Sequence, residues 1–548
     1  MISVRGGARA EMRVVVRMKK ALPIAIAIAA GIAGALFLSA DWSSSSGNPQ
    51  RDGWSRSEDQ LSRESAAHGD IKLLYSYKVD PKPQRMGTPV MLTNIISWKG
   101  FKSLAFVAGA LDVYSIDYSM GRPYFKTHLD STEKAATALC PAGITSGVTM
   151  SGGSTSVARA PAPLPPPGAG RGAGGGRAAS GRGRGGGGGG GARGGGGRNA
   201  GPHVWVVGPD GSLETLRQQD GDNKSTPAIK FVPANSRVSD LMMDDGVIYA
   251  ATQNDCGGPN ALYAVDVTSP DKKVMSFLTN GSGFAGSAGV AAGTDGSTVY
   301  GLIADGQGSV AGKYSNTVVA LGSKDLSVKD YFTPSGAAAA VKKGAEVPGA
   351  TPAVFQWDGK DVIVAGGTSG RIYLLDSASL GGSDHHTPLA ESEVFAAADG
   401  TNGIWNGFAT WDDPAGNTRW IYASISGASP LKFPASNGAA ADGSIVAFKV
   451  EDNGGKPKLT PAWISRDMIS PAAPAVTNGL VFALSTGQGK SPKNAVLYAL
   501  DSSTGKDIWS SGQTATSYAT GGLAVNTSIV LFATHDSQIH AYGIPIIF

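Results

Sequence analysis

The sequence has few of the groups from which catalytic sites are usually built. Of its 548 residues, 16% are charged and two are cysteines. It contains no Gly-x-Ser-x-Gly, His-Glu-x-x-His or phosphate-loop pattern, so it gives no support for those hydrolases, peptidases and nucleotide enzymes. Because Cys-x-x-Cys and Cys-x-x-Cys-His are absent as well, a dithiol redox motif and an attached c-type haem are excluded.

The charge balance and the histidines exclude two further classes. The chain has 47 basic and 43 acidic residues, too even a balance to imply a nucleic-acid partner. The only histidine cluster, Asp384-His385-His386, lies in a glycine-containing loop without an evident third ligand. We interpret it as a solvated turn and predict no metal site.

Residues 1–40 are typical of a targeting segment. Basic residues precede an uncharged run from Ala21 to Leu38, and Ser39-Ala40 follows before the polar Asp41. We expect an exported chain cleaved near Ala40, located in the periplasm or outside the cell, with Met1 or Met18 as its start. The alternative is an uncleaved membrane anchor at residues 21–38, because this run is nearly long enough to span a bilayer.

A short repeat organises the rest of the chain. In residues 495–511 an alternating apolar run leads into Asp501, a turn containing Gly505, and a second run ending at Trp509. This pattern predicts two antiparallel strands joined by a turn, in which Asp501 binds backbone amides and Gly505 adopts a positive φ. Weaker copies carry Asp117 with Gly121, Asp266 and Asp376 at the corresponding positions.

The copies recur at intervals typical of a ring. Asp266, Gly322 and Asp376 are separated by 56 and 54 residues, and further alternating runs precede most copies. About four strands per unit and roughly eight units predict an all-β, eight-bladed β-propeller of four-stranded antiparallel blades over residues 41–548. The isolated strand at 71–79 is expected to pair with the last blade and to close the ring.

Residues 160–202 interrupt this pattern. They are rich in proline and then consist almost entirely of glycine and arginine, so they cannot bury enough apolar surface to order themselves. One interpretation is an RNA-binding segment, but the stretch lacks aromatic side chains that stack on bases. We favour a disordered insertion tolerated within a blade loop.

Two sets of residues are candidates for structural or binding roles. Cys140 and Cys256 belong to loops of nearby blades, and the sequence leaves open whether they form a disulfide. Ligands of propellers usually bind where loops converge at the channel mouth. The aromatic and polar residues Trp405, Asn406, Trp411 and Tyr518 are the candidates there, with packing between blades as the alternative.

The residues around Asp501 carry a family resemblance. Ala499-x-Asp501-x-x-Thr504-Gly505-Lys506-x-x-Trp509 resembles the tryptophan-docking repeat of the quinoprotein (pyrroloquinoline quinone, PQQ) propellers, and Trp42…Gly47-Asn48…Arg51 resembles the start of such chains. The family contains PQQ-dependent alcohol dehydrogenases and noncatalytic scaffolds. Its enzymes are expected to hold PQQ together with a Ca²⁺ ion bound by Glu, Asn and Asp, and to use an Asp as the base. They often carry a disulfide between adjacent cysteines, and this chain has no adjacent cysteines.

These features predict an exported propeller that acts as a noncatalytic protein-interaction or ligand-binding scaffold without a cofactor. Its partner would be an envelope or secreted protein, and we expect a monomer that contacts a membrane only through an uncleaved N-terminal segment. The alternative is a PQQ-dependent alcohol or sugar dehydrogenase that uses PQQ and Ca²⁺.

Overall fold

The computed structural model describes residues 42–545 except 57, 59, 98–99, 132–136, 138, 151–202, 282, 305–313, 336–348, 415 and 417. The predicted targeting segment 1–40 and the predicted insertion 160–202 lie outside these residues. In the described part of the chain, no helix is long and apolar enough to cross a membrane.

The described residues form β-sheets, one short helix and one 3₁₀ turn. The helix α1 (Arg63–Ala67) precedes the first strand, β1 (Lys72–Lys78), and the 3₁₀ turn covers Gly382–Asp384. Seven sheets, numbered here as blades 1 to 7, each take their antiparallel strands from one continuous stretch of chain. An eighth sheet, the closing sheet, combines strands from both ends of the described chain.

Five of the blades consist of four consecutive antiparallel strands. Blade 1 contains β2 (Val90–Ser97), β3 (Gly100–Ala108), β4 (Asp112–Asp117) and β5 (Arg122–His128); blade 2 contains β6 (Thr149–Met150), β7 (His203–Val207), β8 (Ser212–Arg217) and β9 (Ile229–Lys230). Blade 4 contains β15 (Val290–Ala292), β16 (Thr298–Ile303), β17 (Thr317–Gly322) and β18 (Val328–Phe332). Blade 5 contains β20 (Ala353–Trp357), β21 (Lys360–Gly366), β22 (Ile372–Asp376) and β23 (Ala390–Glu391). Blade 7 contains β29 (Ala475–Thr477), β30 (Leu480–Ser485), β31 (Val496–Asp501) and β32 (Asp507–Ser510).

Blades 3 and 6 have more than four strands. Blade 3 contains β10 (Arg237–Val238), β11 (Met242–Asp244), β12 (Val247–Gln253), β13 (Ala261–Asp266) and β14 (Val274–Leu278). Blade 6 contains β24 (Gly403–Asp413), β25 (Thr418–Ser426), β27 (Gly443–Asp452) and β28 (Pro457–Ile464), with the short strands β19 (Gly349–Ala350) and β26 (Ala435–Ser436) added in parallel.

The predicted fold class, an all-β propeller of four-stranded antiparallel blades, is confirmed in its type, but the predicted number of eight such four-stranded blades is wrong. Among the described residues, the chain between β1 and the last three strands forms seven blades; blades 3 and 6 exceed four strands, and β19 of blade 6 comes from the chain that precedes blade 5. In blade 6, the pairing of β24 with β25 shifts register between Trp405 and Phe408, and the added strand β19 lies in parallel beside Trp405 and Asn406. Strand counting from a repeat cannot detect such additions, because two-residue strands have no alternating pattern.

The closing sheet joins β1 to β33 (Ala519–Asn526), β34 (Ile529–Thr534) and β35 (Gln538–Gly543). Strand β1 pairs antiparallel with β35, from Lys72 opposite Gly543 to Lys78 opposite Gln538. The predicted pairing of strand 71–79 with the last strands is confirmed. Each apolar sheet face is buried against the next sheet; one such core joins Phe355 of blade 5 to Phe448 of blade 6.

Residues 42–56, the axial segment, run through the centre of the ring. Their backbone forms hydrogen bonds with the first strands of successive blades. The bonded pairs are Trp42 with Met91 (3.0 Å), Pro49 with Ala292 (2.8 Å), Gln50 with Val354 (2.9 Å), Asp52 with Thr410 (2.7 Å) and Gly53 with Val476 (2.8 Å). The first strands of the blades line the central channel, so this segment fills part of it. The sequence pattern predicted only a polar lead-in here.

The repeat turns dock on aromatic side chains of the preceding sheet. Gly505 has φ +70°, and the fully buried indole of Trp463 lies against it and donates from Nε1 to the Ser502 carbonyl at 2.9 Å. The Tyr75 ring packs in the same way on Gly121, and its hydroxyl donates to the Tyr118 carbonyl at 2.8 Å. A side chain at these glycines would collide with the ring, so only glycine fits the turn.

Asp501, Asp266 and Asp376 accept hydrogen bonds from backbone amides of the turns that follow them, as the repeat pattern predicts. Asp501 accepts from the Ser503 and Thr504 amides at 2.9 and 2.8 Å, and Asp266 accepts from the Thr268 amide at 2.9 Å. Asp376 accepts from the Ala378 amide at 2.8 Å, and Asp117 pairs with Lys102 at 3.0 Å. Trp509 lies edge-on to Tyr542, with the ring centroids 5.7 Å apart.

Candidate functional site

A cavity of about 820 Å³ lies on the ring axis beside the start of the axial segment. Its walls come from the first strands of several blades, from the loops before them and from residues 42–46. The lining includes Trp42, Arg85, Thr88, Arg237, Asp240, Gln253, Trp405, Asn406, Gln488, Tyr518 and His535. This axial cavity is large enough for a small organic ligand.

Three of the four predicted channel-mouth residues line this cavity. Trp405, Asn406 and Tyr518 are all half-buried on its wall. Trp411 is not among the lining residues; it is 5% exposed and packs with Trp420 and other apolar side chains between blades 6 and 7. Trp411 therefore follows the alternative prediction, packing between blades. The structure brings Trp405, Asn406 and Tyr518 together on the cavity wall.

Two indole N–H groups at the cavity are unsatisfied. Trp42 is 3% exposed, and its Nε1 has no hydrogen-bond partner among the described residues. The Nε1 of Trp405 is buried and equally without a partner among them. A buried donor without an acceptor costs about 1–3 kcal/mol. Both nitrogens have less than 1 Å² of accessible surface, so a molecule in the cavity does not reach them without a rearrangement of the wall.

The charged residues of the cavity are mostly basic. Arg85 and Arg237 both line it, and among the described lining residues Asp240 carries the only carboxylate. Asp240 is 6% exposed, and its Oδ2 already accepts from the Thr88 hydroxyl at 2.9 Å. The charged side chains among the described lining residues are therefore net positive, which favours an anion.

Arg51 anchors the axial segment to residues that line the cavity. It is 1% exposed and donates to the carbonyls of Ser45 (2.6 Å), Ala288 (3.0 Å), Val290 (3.1 Å), Asp240 (3.2 Å) and Leu241 (3.2 Å). Burial lowers the pKa of Arg51 to about 10, and the charge of Asp240 opposes this shift. The guanidinium stays protonated at neutral pH and ties the axial segment to blades 3 and 4.

Other polar groups of the lining are already held in place. The rings of Tyr518 and His535 stack with centroids 4.7 Å apart. Gln253 donates to the Phe284 and Gly286 carbonyls at 2.7 and 3.0 Å, and Asn406 donates to the Pro471 carbonyl at 2.9 Å. These bonds leave the amide oxygens of both side chains as acceptors within a preformed wall.

The two cysteines form a disulfide beside the cavity. Cys140 and Cys256 have Cα atoms 5.5 Å apart and connect the loop before blade 2 to blade 3. Pro141, the residue after Cys140, and Thr145 both line the axial cavity. The sequence left this pairing open because it contains no information on the Cα separation.

The predicted turn at His385 and His386 lies away from the axial cavity. The His385 ring stacks on Tyr331 with centroids 4.0 Å apart, and its Nδ1 lies 3.0 Å from Asp330 Oδ1. No group of three or more His, Cys, Asp or Glu side chains in the described ranges could hold a metal ion.

The cavity residues do not fit the Ca²⁺–quinone set that the resemblance implies. That set requires Glu, Asn and Asp around Ca²⁺, together with an Asp base. Among the described lining residues Asn406 and Asp240 are the only such side chains, and Asp240 is engaged by Thr88. The donor set therefore cannot supply both the metal ligands and a separate base.

Sequence reasoning missed Trp42, Arg85, Arg237, Asp240 and Gln253 as cavity residues. One signal was available: residues 42–51 resemble the start of quinoprotein chains. That resemblance did not indicate that these residues lie on the ring axis. The others lie on loops or strand ends that carry no repeat pattern.

Comparisons with solved structures identify the fold. Quinohemoprotein alcohol dehydrogenase ADHIIG from Pseudomonas putida superposes with a TM-score of 0.58 at 14% identity, covering 95% of this chain and 82% of that one. The quinohemoprotein alcohol dehydrogenase from Comamonas testosteroni gives 0.56 at 12% identity, with 95% and 82% covered. A europium-containing methanol dehydrogenase gives 0.58 at 10% identity, with 93% and 91% covered.

No family model matches the chain, and no curated protein matches it in sequence. The structural likenesses show that the chain has the PQQ-like β-propeller fold found in quinoprotein dehydrogenases. At these identities the likeness extends to the fold alone.

Proposed function

We propose that this protein is a noncatalytic PQQ-like propeller whose axial cavity binds a small, oxygen-rich organic anion. The observation that carries the proposal is the positive side-chain charge of the described cavity lining. Arg85 and Arg237 line the wall, and the one carboxylate among the described lining residues, that of Asp240, already accepts from Thr88. A carboxylate-bearing ligand would pair with these two arginines.

The rigid ring supports binding by preorganisation. Gln253, Asn406 and Arg51 are each held by hydrogen bonds to backbone carbonyls of the described residues. Since these side chains are already ordered, a ligand loses little free energy in fixing them. The targeting pattern of residues 1–40 supports a location outside the cytoplasm, where an envelope or secreted protein would be the partner.

The second candidate is a PQQ-dependent dehydrogenase. The structural likeness to quinohemoprotein alcohol dehydrogenases and to a methanol dehydrogenase favours it. The chemistry of the described lining residues argues against it, because the one carboxylate among them cannot serve as metal ligand and base at once.

Calorimetric titration of the purified protein with acetate, succinate and citrate tests the proposal. We expect saturable binding of the polycarboxylates that weakens at least about tenfold in Arg237→Gln, since a charge-assisted hydrogen bond contributes about 1.5–3 kcal/mol. The control Arg217→Gln changes an exposed arginine on β8 and should bind like the parent. Binding that is absent for all three acids, or that is equal in parent and Arg237→Gln, contradicts the proposal.

A further inference from the structure

The residues between the disulfide and blade 2 form a strap at the edge of the axial cavity. We propose that the Cys140–Cys256 disulfide controls access to this cavity by pinning residues 139–145, the strap, against blade 3. The physiological consequence rests on the proposed ligand-binding function, whereas the control of access is a property of the fold that can be measured without a ligand.

The first step of the argument is the position of the strap. Pro141 and Thr145 line the cavity, and the hydroxyl of Thr145 accepts from the Val238 amide at 2.8 Å. Val238 lies between Arg237 and Ser239, and all three line the same wall. The strap is therefore part of the wall that carries one of the two cavity arginines.

The second step concerns how the strap is attached. At its far end the Ile144 amide donates to the Ala110 carbonyl at 2.7 Å. At the disulfide end the Leu139 carbonyl accepts from Asn254 Nδ2 at 3.3 Å and from Arg237 Nη1 at 3.4 Å. Hydrogen bonds of this length are weak, so the covalent link to Cys256 is the strongest connection between this end and blade 3.

The third step is the consequence of breaking the link. A dithiol supplies two electrons and two protons to the disulfide; the bond between the Sγ atoms breaks, two thiols form, and the dithiol leaves as its own disulfide. Cys256 is 3% exposed and Cys140 is half-buried, so the thiolate has its better approach at Cys140. Release of Cys140 frees Leu139, and the bond from Arg237 to the Leu139 carbonyl is lost with it.

Alkylation of a single engineered thiol measures access to the cavity. Ser239→Cys places a reporter on the wall, where the native side chain is 5% exposed. Lys490→Cys places a matched control at an exposed position. Each is made in the parent and in the double variant Cys140→Ser, Cys256→Ser, and mass spectrometry verifies the native pairing in the parent. Iodoacetamide is the probe.

We expect the alkylation rate at position 239 to rise roughly tenfold when the disulfide is absent, as expected for a local opening that becomes more populated. The rate at position 490 should stay unchanged. Hydrogen exchange of residues 139–145 provides an independent readout and should accelerate in the double variant while the blade strands keep their protection. If hydrogen exchange of the strap accelerates in the double variant but the alkylation rate at position 239 does not change, the proposal is wrong. It is also wrong if the strap exchanges as slowly in the double variant as in the parent.

The two proposals fail in different ways. If no carboxylate binds but the rate at position 239 depends on the disulfide, the ligand proposal fails and the strap remains. If citrate binds equally well in the parent and the double variant and the alkylation rates agree, the strap proposal alone is wrong.

Discussion

Arg51 Nη2 donates to the Asp240 carbonyl at 3.2 Å across 189 residues of sequence. The same guanidinium reaches the carbonyls of Ala288 and Val290 in the next blade. The pair thus links the axial segment to the wall of the axial cavity. An extended chain in the channel of a propeller can hold the blades together because it bonds to each in turn.

Replacing Arg51 should destabilise the whole domain. Arg51→Met keeps the length of the side chain but leaves five buried carbonyls without their donor. Each hydrogen bond to a charged group contributes about 1.5–3 kcal/mol, and an unsatisfied buried group carries a further penalty, so we expect a loss of at least ~3 kcal/mol. Urea denaturation followed by tryptophan fluorescence measures it.

The control is Arg217→Met, which removes an exposed ion pair with Asp220. This change should leave the urea midpoint close to that of the parent. Equal midpoints for Arg51→Met and Arg217→Met would show that the axial segment does not stabilise the ring.

Gly505→Ala should cost more stability than Gly512→Ala. Both glycines have positive φ, +70° and +60°, so both substitutions meet the same backbone penalty of about 1–2 kcal/mol. Position 512 has open space, whereas an added methyl at 505 collides with the buried Trp463 ring. Overpacking costs typically about 1–3 kcal/mol, and this amount should appear as the difference between the two variants in thermal unfolding. A difference near zero contradicts the docking role of the turn.

The stability of the closing sheet should fall as the pH decreases. His540 is fully buried, with its ring nitrogens near Ser76 Oγ (2.8 Å) and Thr534 Oγ1 (3.1 Å). Burial lowers the pKa of His540 to about 4, and the charge of Asp536 opposes this shift. The neutral ring is therefore favoured in the fold, and its stability contribution is complete above the unfolded pKa of about 6.5 and is lost as the pH falls toward 4.

The expected loss over this window is about 3 kcal/mol, from about 1.4 kcal/mol per pH unit. His540→Gln should remove most of this slope, while His68→Gln, at an exposed histidine, should keep it. Denaturation at several pH values between 4 and 7 provides the measurement. If the free energy of unfolding falls equally steeply with decreasing pH in the parent and in His540→Gln, groups other than His540 control the acid stability.

Residues 151–202 should be removable. Met150 and Val204 are paired on the adjacent strands β6 and β7, so the two ends of this stretch lie opposite each other in a hairpin. A turn of about four residues can connect such strands. Replacing residues 151–202 by a Gly/Ser turn of that length should leave the melting temperature and the far-ultraviolet circular dichroism unchanged. A strongly lowered melting temperature would show that this stretch takes part in the fold.

The general architecture could be predicted from sequence because its signals are local. Alternation around Tyr498 and the turn at Asp501 and Gly505 identify a hairpin without reference to any distant residue. The pairing of β1 with β35 could be inferred because strand 71–79 has no partner nearby and open sheet edges are disfavoured. The added strands β19 and β26 could not, since two residues contain no period.

The candidate site was only partly predictable, for the same reason. Trp405, Asn406 and Tyr518 stand out in the sequence as aromatic and polar residues, and all three line the cavity. Trp405 and Asn406 lie on strand β24. Trp411 belongs to the same stretch but points into the packing between blades, which six residues of spacing cannot reveal. Arg237 and Asp240 are recognised only through the ring geometry that brings blade 3 beside the axial segment.

The most direct test of the noncatalytic assignment is reconstitution of the purified protein with PQQ and Ca²⁺. After desalting, the absorbance spectrum is recorded, and reduction of an electron-accepting dye is followed with alcohols and aldoses as substrates. The account predicts no retained quinone absorbance and no dye reduction above the rate of the buffer. Retained quinone together with substrate-dependent dye reduction would contradict it and would identify the protein as a quinoprotein dehydrogenase.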